Sequence, residues 1–212
     1  MTQARPDDGS IVIHDSHSYD RFFGWAIRRS DGPILQRAGV GAGDRVLDVG
    51  TGPGYLALAA SSLVGPGGVA VGIDASPEMI VRARELAARA GSAAEFRLAS
   101  AAALPFEDGS FDVVVSRLVL HHLPGEVKTK ALAEMLRVLR PGGRLLVADM
   151  ASSTARRGHH LVAHVMGRHP ETDSVPERVV WEAGFRDVRS GPLMHGFLTG
   201  VAAVRPEDAG GE

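Results

Sequence analysis

The chain has no cysteine, which excludes disulfides, thiolate metal sites and cysteine nucleophiles from its chemistry. No apolar run approaches the roughly 20 residues that a bilayer crossing takes. The opening MTQARPDDGS has no basic stretch leading into an apolar one, so no membrane insertion is expected and a cytoplasmic location is the simplest reading. Excess charge of either sign is missing too: 23 Lys and Arg face 25 Asp and Glu, a formal charge of -2 that gives nucleic acid no general attraction. What is present is an ordinary globular composition, 44% hydrophobic and 23% charged, in 212 residues. That length suits one domain with short additions.

Short apolar runs free of internal proline recur at Arg45 to Val49, Val69 to Ile73, Phe111 to Val115 and Arg144 to Ala148, and read as buried strands. Helical patterns lie between them. In the clearest, Pro77 to Ala90, Ser76 caps the start and Gly91 suits the exit, with Met79, Ala83, Leu86 and Ala90 predicted to share the inward face. A second pattern, Glu126 to Leu139, puts Val127, Ala131, Met135 and Val138 on one side and is expected to end at Pro141-Gly142-Gly143. A short helix from Glu177 to Gly184 and two strands, Phe185 to Ser190 and Gly196 to Val204, complete the alternation, and the closing RPEDAGGE reads as a solvated tail. Strands alternating with helices predict an α/β fold with a parallel sheet.

The first strand runs straight into Gly50-Thr51-Gly52-Pro53-Gly54-Tyr55 and then an apolar helix. Glycines at alternate positions let the backbone approach a ligand closely, and the helix that follows offers its positive end. That combination is a cradle for a nucleotide or nucleoside. A dinucleotide site wants a glycine where Tyr55 stands, so a nicotinamide enzyme is disfavoured. Twenty residues after Gly54 the second strand ends at Asp74, whose carboxylate can accept hydrogen bonds from both hydroxyls of a ribose.

The set VLDVGTGPGYLALAA, VGIDASPEMIVRAR, LPFEDGSFDVVVSRLVLHHLP and EMLRVLRPGGRLLVADM resembles the class I S-adenosylmethionine-dependent methyltransferases, in particular the branch of the ubiquinone and menaquinone biosynthesis enzymes. The resemblance implies a Rossmann-like three-layer α/β/α sandwich with a seven-stranded, mostly parallel sheet whose last strand is antiparallel. It divides the chain into an N-terminal lid or helical segment (1–40), a donor-binding core (41–150), an acceptor-side insertion (151–176) and the last helix and strands (177–206). The donor-binding residues it implies are Tyr19, Asp48, Gly50, Thr51, Gly52, Gly54, Asp74, Ala75, Met79, Ser100, Ala101 and Ser116. Ser100 stands where relatives commonly carry aspartate, and it lacks the charge that would strengthen a bond to the adenine amino group. Leu104 and Phe106 either close over the purine or pack in the core.

The implied function is methyl transfer from S-adenosylmethionine to a small organic acceptor, leaving S-adenosylhomocysteine, with oxygen, carbon and nitrogen acceptors all compatible. A sulfonium donor brings its own leaving group, so the protein chiefly aligns the acceptor and excludes water. Where the acceptor must lose a proton, His121 or His122 after the fourth strand is the candidate general base; a structural role for either is the alternative. Tyr19, Phe22, Phe23 and Trp25 suggest an aromatic lid or simple packing. Arg156, Arg157, His159, His160, His164, Arg168 and His169 suggest recognition of an anionic or phenolic acceptor, or a solvated helix face. His160 and His164 have a metal-pair spacing with no fixed third ligand, so no metal is expected. Asp149 faces the acceptor or caps a turn, and Trp181 reads as core. The competing readings are a catalytically silent donor-binding protein and, behind it, an NAD-linked oxidoreductase.

Overall fold

The computed structural model describes residues 28–150, 175–194 and 198–208. Its elements are α1 (Asp31–Arg37), β1 (Arg45–Val49), α2 (Tyr55–Val64), β2 (Val69–Asp74), α3 (Pro77–Ala90), β3 (Glu95–Leu98), β4 (Phe111–Arg117), a tight helical turn (Leu120–His122), α4 (Gly125–Val138), β5 (Leu139–Met150), α5 (Glu177–Glu182), β6 (Arg186–Leu193) and β7 (Leu198–Val204). The strands form one seven-stranded sheet in the order β3-β2-β1-β4-β5-β7-β6. β7 alone runs against its neighbours, pairing antiparallel with both β5 and β6. The expected Rossmann-like three-layer arrangement is therefore the observed one.

Strand alternation sorts the side chains into two layers. Leu47, Val49, Val114, Leu145 and Val147 pack with Ala131, Leu132 and Met135 of α4 and Val180 of α5 on one face. Val46, Val113, Val115 and Leu146 meet Ile34 and Leu35 of α1 and Leu56 and Ala60 of α2 on the other. Each strand buried on both faces is apolar at nearly every position, which is why those runs were readable without period-two contrast.

α3 spans the predicted residues, with Ser76 Oγ accepting from Met79 N at 3.3 Å and Gly91 left-handed at φ 59°. Its inward face is rotated from the one expected: Met79, Ile80, Ala83 and Ala87 are buried, whereas Ala90 is exposed and Leu86 only half-buried. A hydrophobic patch of Ala57, Ile80, Ala83, Ala87 and Phe96 sets that rotation. β3 was not foreseen, because in Glu-Phe-Arg-Leu only Phe96 is buried. α4 ends at Val138, and Pro141-Gly142-Gly143 sits inside β5 as an irregularity where the register with β4 jumps from Phe111↔Leu139 to Val113↔Arg144.

Trp181 is 57% exposed instead of core. Its ring lies under the Arg186 guanidinium, 5.5 Å from the centroid, while Phe185 takes the buried place. Arg205 likewise belongs to the fold and not to a loose tail, donating to the Arg137 carbonyl at 3.0 Å and to the Leu139 carbonyl. At one margin of the sheet Glu95 and Arg97 of β3 pair at 2.9 Å; at the other, β6 loses register with β7 between Arg186 and Arg189, where Asp187 has φ 51°. No helix among the described residues is long and apolar enough to cross a membrane.

Candidate functional site

β1 lies between β2 and β4 and pairs parallel with both, so the chain leaves its two flanks in opposite directions and opens a crevice at the carboxyl ends of the strands. The glycine turn occupies that crevice. Gly50 and Thr51 donate their N–H groups to the Ile73 carbonyl at 2.9 and 2.8 Å, tying the turn to β2. Gly50 has φ 72°, and a Cβ there would collide with the Val119 side chain. Gly54, at φ 87°, is a different case: a Cβ would meet Phe96 at 2.6 Å and Ala83 at 2.9 Å, so this glycine lets the turn seat against α3 and β3.

Two carboxylates bracket the turn, and alternation puts both on the same face of the sheet. Asp74 Oδ2 accepts from Gly52 N at 2.8 Å and its Oδ1 from Ser76 N at 2.9 Å. Burial pushes the Asp74 carboxyl above its ordinary range, against the pull of those backbone donors. A carboxylate has about four acceptor sites, so these bonds fix its orientation and leave acceptor capacity for a ribose. Asp48 is 1% exposed and accepts from Thr51 Oγ1 at 2.6 Å. Burial raises it to about 6, with Asp31 and Asp74 adding like-charge repulsion and Thr51 and Arg117 opposing.

Together these groups line a cleft of about 1050 Å³, counting its open mouth. Of the expected donor contacts, Asp48, Gly50, Thr51, Gly52, Asp74, Ala75, Met79, Ser100 and Ala101 are in its wall. Gly54 and Ser116 are not: Gly54 packs as described, and the Ser116 hydroxyl donates to the Val49 carbonyl at 2.9 Å, pinning β4 to β1 behind the wall. Tyr19 lies outside the described residues, as do Phe22, Phe23, Trp25 and the Arg/His-rich stretch from Arg156 to His169. Leu104 is buried, and Phe106 packs edge-on against Phe111 with centroids 5.0 Å apart, so both serve the core rather than the cleft.

The histidines divide. His122 lines the cleft with Val119, Leu123 and Val127. His121 turns away to Asp149, whose Oδ2 accepts from the His121 backbone N–H at 3.2 Å and whose Oδ1 contacts ring Nδ1. Asp149 thus caps the tight turn, and the two imidazole rings lie 3.8 Å apart between centroids, tilted 43° to each other. The charged wall residue that escaped the sequence reading is Arg117, at the tip of β4, which bonds Ser30 Oγ at 3.0 Å and pairs with Asp31 of α1. Its signal was a lone cation ending an otherwise apolar strand.

Residues 41–183 match the family described as a methyltransferase domain. The chain belongs to the class I S-adenosylmethionine-dependent methyltransferases. It is 32% identical over 197 residues to the ubiquinone/menaquinone biosynthesis C-methyltransferase of Pseudomonas putida, covering 80% of this chain and 74% of that one. Over 117 residues it is 39% identical to an arsenite methyltransferase of Halobacterium salinarum, which is 55% of this chain but only 29% of that relative's length. A solved S-adenosylmethionine-dependent methyltransferase from Aquifex aeolicus superposes with a TM-score of 0.75 at 25% identity, over 91% of this methyltransferase and 100% of that one.

The cleft suits the donor this family uses. Its wall combines a glycine turn whose Gly50 leaves no room for a Cβ beside Val119, a carboxylate held at the tip of β2, and acidic groups that favour a sulfonium cation.

Proposed function

We propose that this methyltransferase modifies a small organic acceptor of phenolic or anionic character, seated at the end of the cleft formed by Val119, His122, Leu123 and Val127. When bound, S-adenosylmethionine supplies a methyl carbon activated by its sulfonium and departs as a neutral thioether. Asp74 and the Gly50–Gly52 backbone hold the nucleoside and amino acid portions, with Ala75, Met79, Ser100 and Ala101 beside the adenosine. His122 takes the acceptor proton. The acceptor so deprotonated would have its electron pair free for the methyl group that the bound donor would supply.

The observation that carries this reading is the joining of cradle and carboxylate: Gly52 N bonds Asp74 Oδ2 at 2.8 Å, so two motifs 22 residues apart act on one ligand. The apolar wall carrying a single imidazole supports the acceptor class. His121 supports His122 from behind. His121 Nδ1 contacts Asp149 Oδ1, and the His121 ring, 3.8 Å from that of His122 between centroids and tilted 43° to it, limits how His122 can turn. An arsenic acceptor is disfavoured, because the chain has no cysteine to offer a thiolate.

Incubation with S-adenosylmethionine and a fractionated metabolite pool, followed by mass spectrometry, should show one phenolic or anionic compound gaining a methyl as S-adenosylhomocysteine appears. His122→Gln should then lower turnover about 100-fold or more while leaving donor affinity within about threefold. Methylation confined to neutral, non-ionisable acceptors, or equally small effects on both quantities, would overturn the acceptor and base assignments.

A further inference from the structure

Arg117 has not been given a role in donor binding by the family motifs, yet its position is peculiar. It ends β4 immediately before Leu118, which adopts φ 58°, a left-handed backbone that turns the chain sharply away. Alternation along β4 places Arg117 on the same face as Val113 and Val115, the face that also carries Asp48 and Asp74 at the neighbouring strand tips. Among the described residues that line the cleft it is the sole Lys or Arg. Its side chain is 8% exposed and is held by Ser30 Oγ at 3.0 Å and by the Asp31 carboxylate of α1. An arginine fork presents five donors and can serve more than one oxyanion at a time.

The donor has one anionic group, the carboxylate of its methionine part, alongside two cationic ones. Asp48 and Asp74 line the cleft, with Asp31 near enough to act on Asp48, and this acidic wall would repel that anion. A carboxylate entering such surroundings needs a cation to offset desolvation and repulsion. We infer that Arg117 binds the donor's carboxylate, with the Ser30–Asp31 contact orienting the guanidinium from α1. The inference rests on the donor assignment above and adds a recognition element to it. It also fixes a sign. Without Arg117 the acid-rich wall favours a ligand lacking the carboxylate, because such a ligand carries a larger positive charge.

Decarboxylated S-adenosylmethionine is that ligand, and titration calorimetry with both compounds tests the inference without an acceptor. Wild-type protein should bind S-adenosylmethionine about 10- to 100-fold more tightly than the decarboxylated compound. Arg117→Gln should abolish or reverse the preference by weakening only the carboxylate-bearing ligand, and Arg117→Lys should retain a reduced preference. Equal affinities in the wild type would overturn the inference without needing any variant to fold. So would parallel losses for both ligands in a folded Arg117→Gln, which is the signature of a latch between α1 and β4 and nothing more. If wild-type protein binds neither compound, the donor assignment itself falls.

Discussion

Asp48 shows how a single residue trades stability for a binding surface. Its carboxyl is sealed at the tip of β1 and sits near 6 instead of the ordinary 3.8. The folded state therefore takes up its proton more readily than the unfolded chain does. Wild-type stability accordingly falls as pH rises from about 4 through about 6, by about 3 kcal/mol, and stays at that lower level above it. Asp48→Asn preserves an acceptor for Thr51 Oγ1 and removes the buried charge. It should melt several degrees higher than wild type at pH 8 and nearly level with it at pH 4, while binding the donor more weakly. A constant difference between the two proteins across that range would contradict the assignment. A destabilised, charged residue facing a cleft is what a site for a cationic ligand requires.

At the scale of elements, α5 and the strand after it separate burial from appearance. Trp181 and Phe185 stand four residues apart, and apolar neighbours made the tryptophan look like core; the fold instead seats Phe185 at 0% exposure and leaves Trp181 beneath Arg186. Phe185→Ala should cost about 3–5 kcal/mol and Trp181→Ala about 1 kcal/mol or less, measured by denaturant unfolding; the reverse order would refute the packing described. The same pair shows where sequence reading runs out. Strands buried on both faces announce themselves by composition, and α3 by its cap, its proline and its terminal glycine. The face α3 presents, the existence of β3 and the course of β5 through Pro141–Gly143 depend on partners distant in the chain, which local periodicity does not contain. For the candidate site, the presence of Gly50, Gly52 and Asp74 in one cleft wall was legible, because a glycine turn and an acid at the next strand tip stand out by residue type and spacing. Arg117, and the different surroundings of His121 at Asp149 and His122 at the cleft, became visible only when β4, β5 and α1 were brought together.

For the whole molecule, the cleft joins elements from residue 48 to residue 127, so a ligand there couples most of the sheet's first half to one event. S-adenosylmethionine at about 100 times its Kd should stabilise the native state by about 2.7 kcal/mol. For a chain of this length that corresponds to a rise in Tm of about 5–10 °C, and NAD at the same concentration should give none. Equal shifts from both compounds would contradict the reading of Tyr55 as a barrier to dinucleotides.

The sheet's two outer strands have a bearing on handling the protein at high concentration. β3 is only four residues long and carries Glu95 and Arg97, while β6 is interrupted at Asp187 and contains Pro192. A neighbouring molecule seeking to extend the ladder would have to desolvate an ion pair at one border and match a kinked, proline-bearing backbone at the other. Both borders thus discourage strand-on-strand aggregation, and the exposed Leu98 is tolerated because charge flanks it. Variants that neutralise Glu95 and Arg97 together would remove that protection and leave an apolar fringe open to fibril-like stacking.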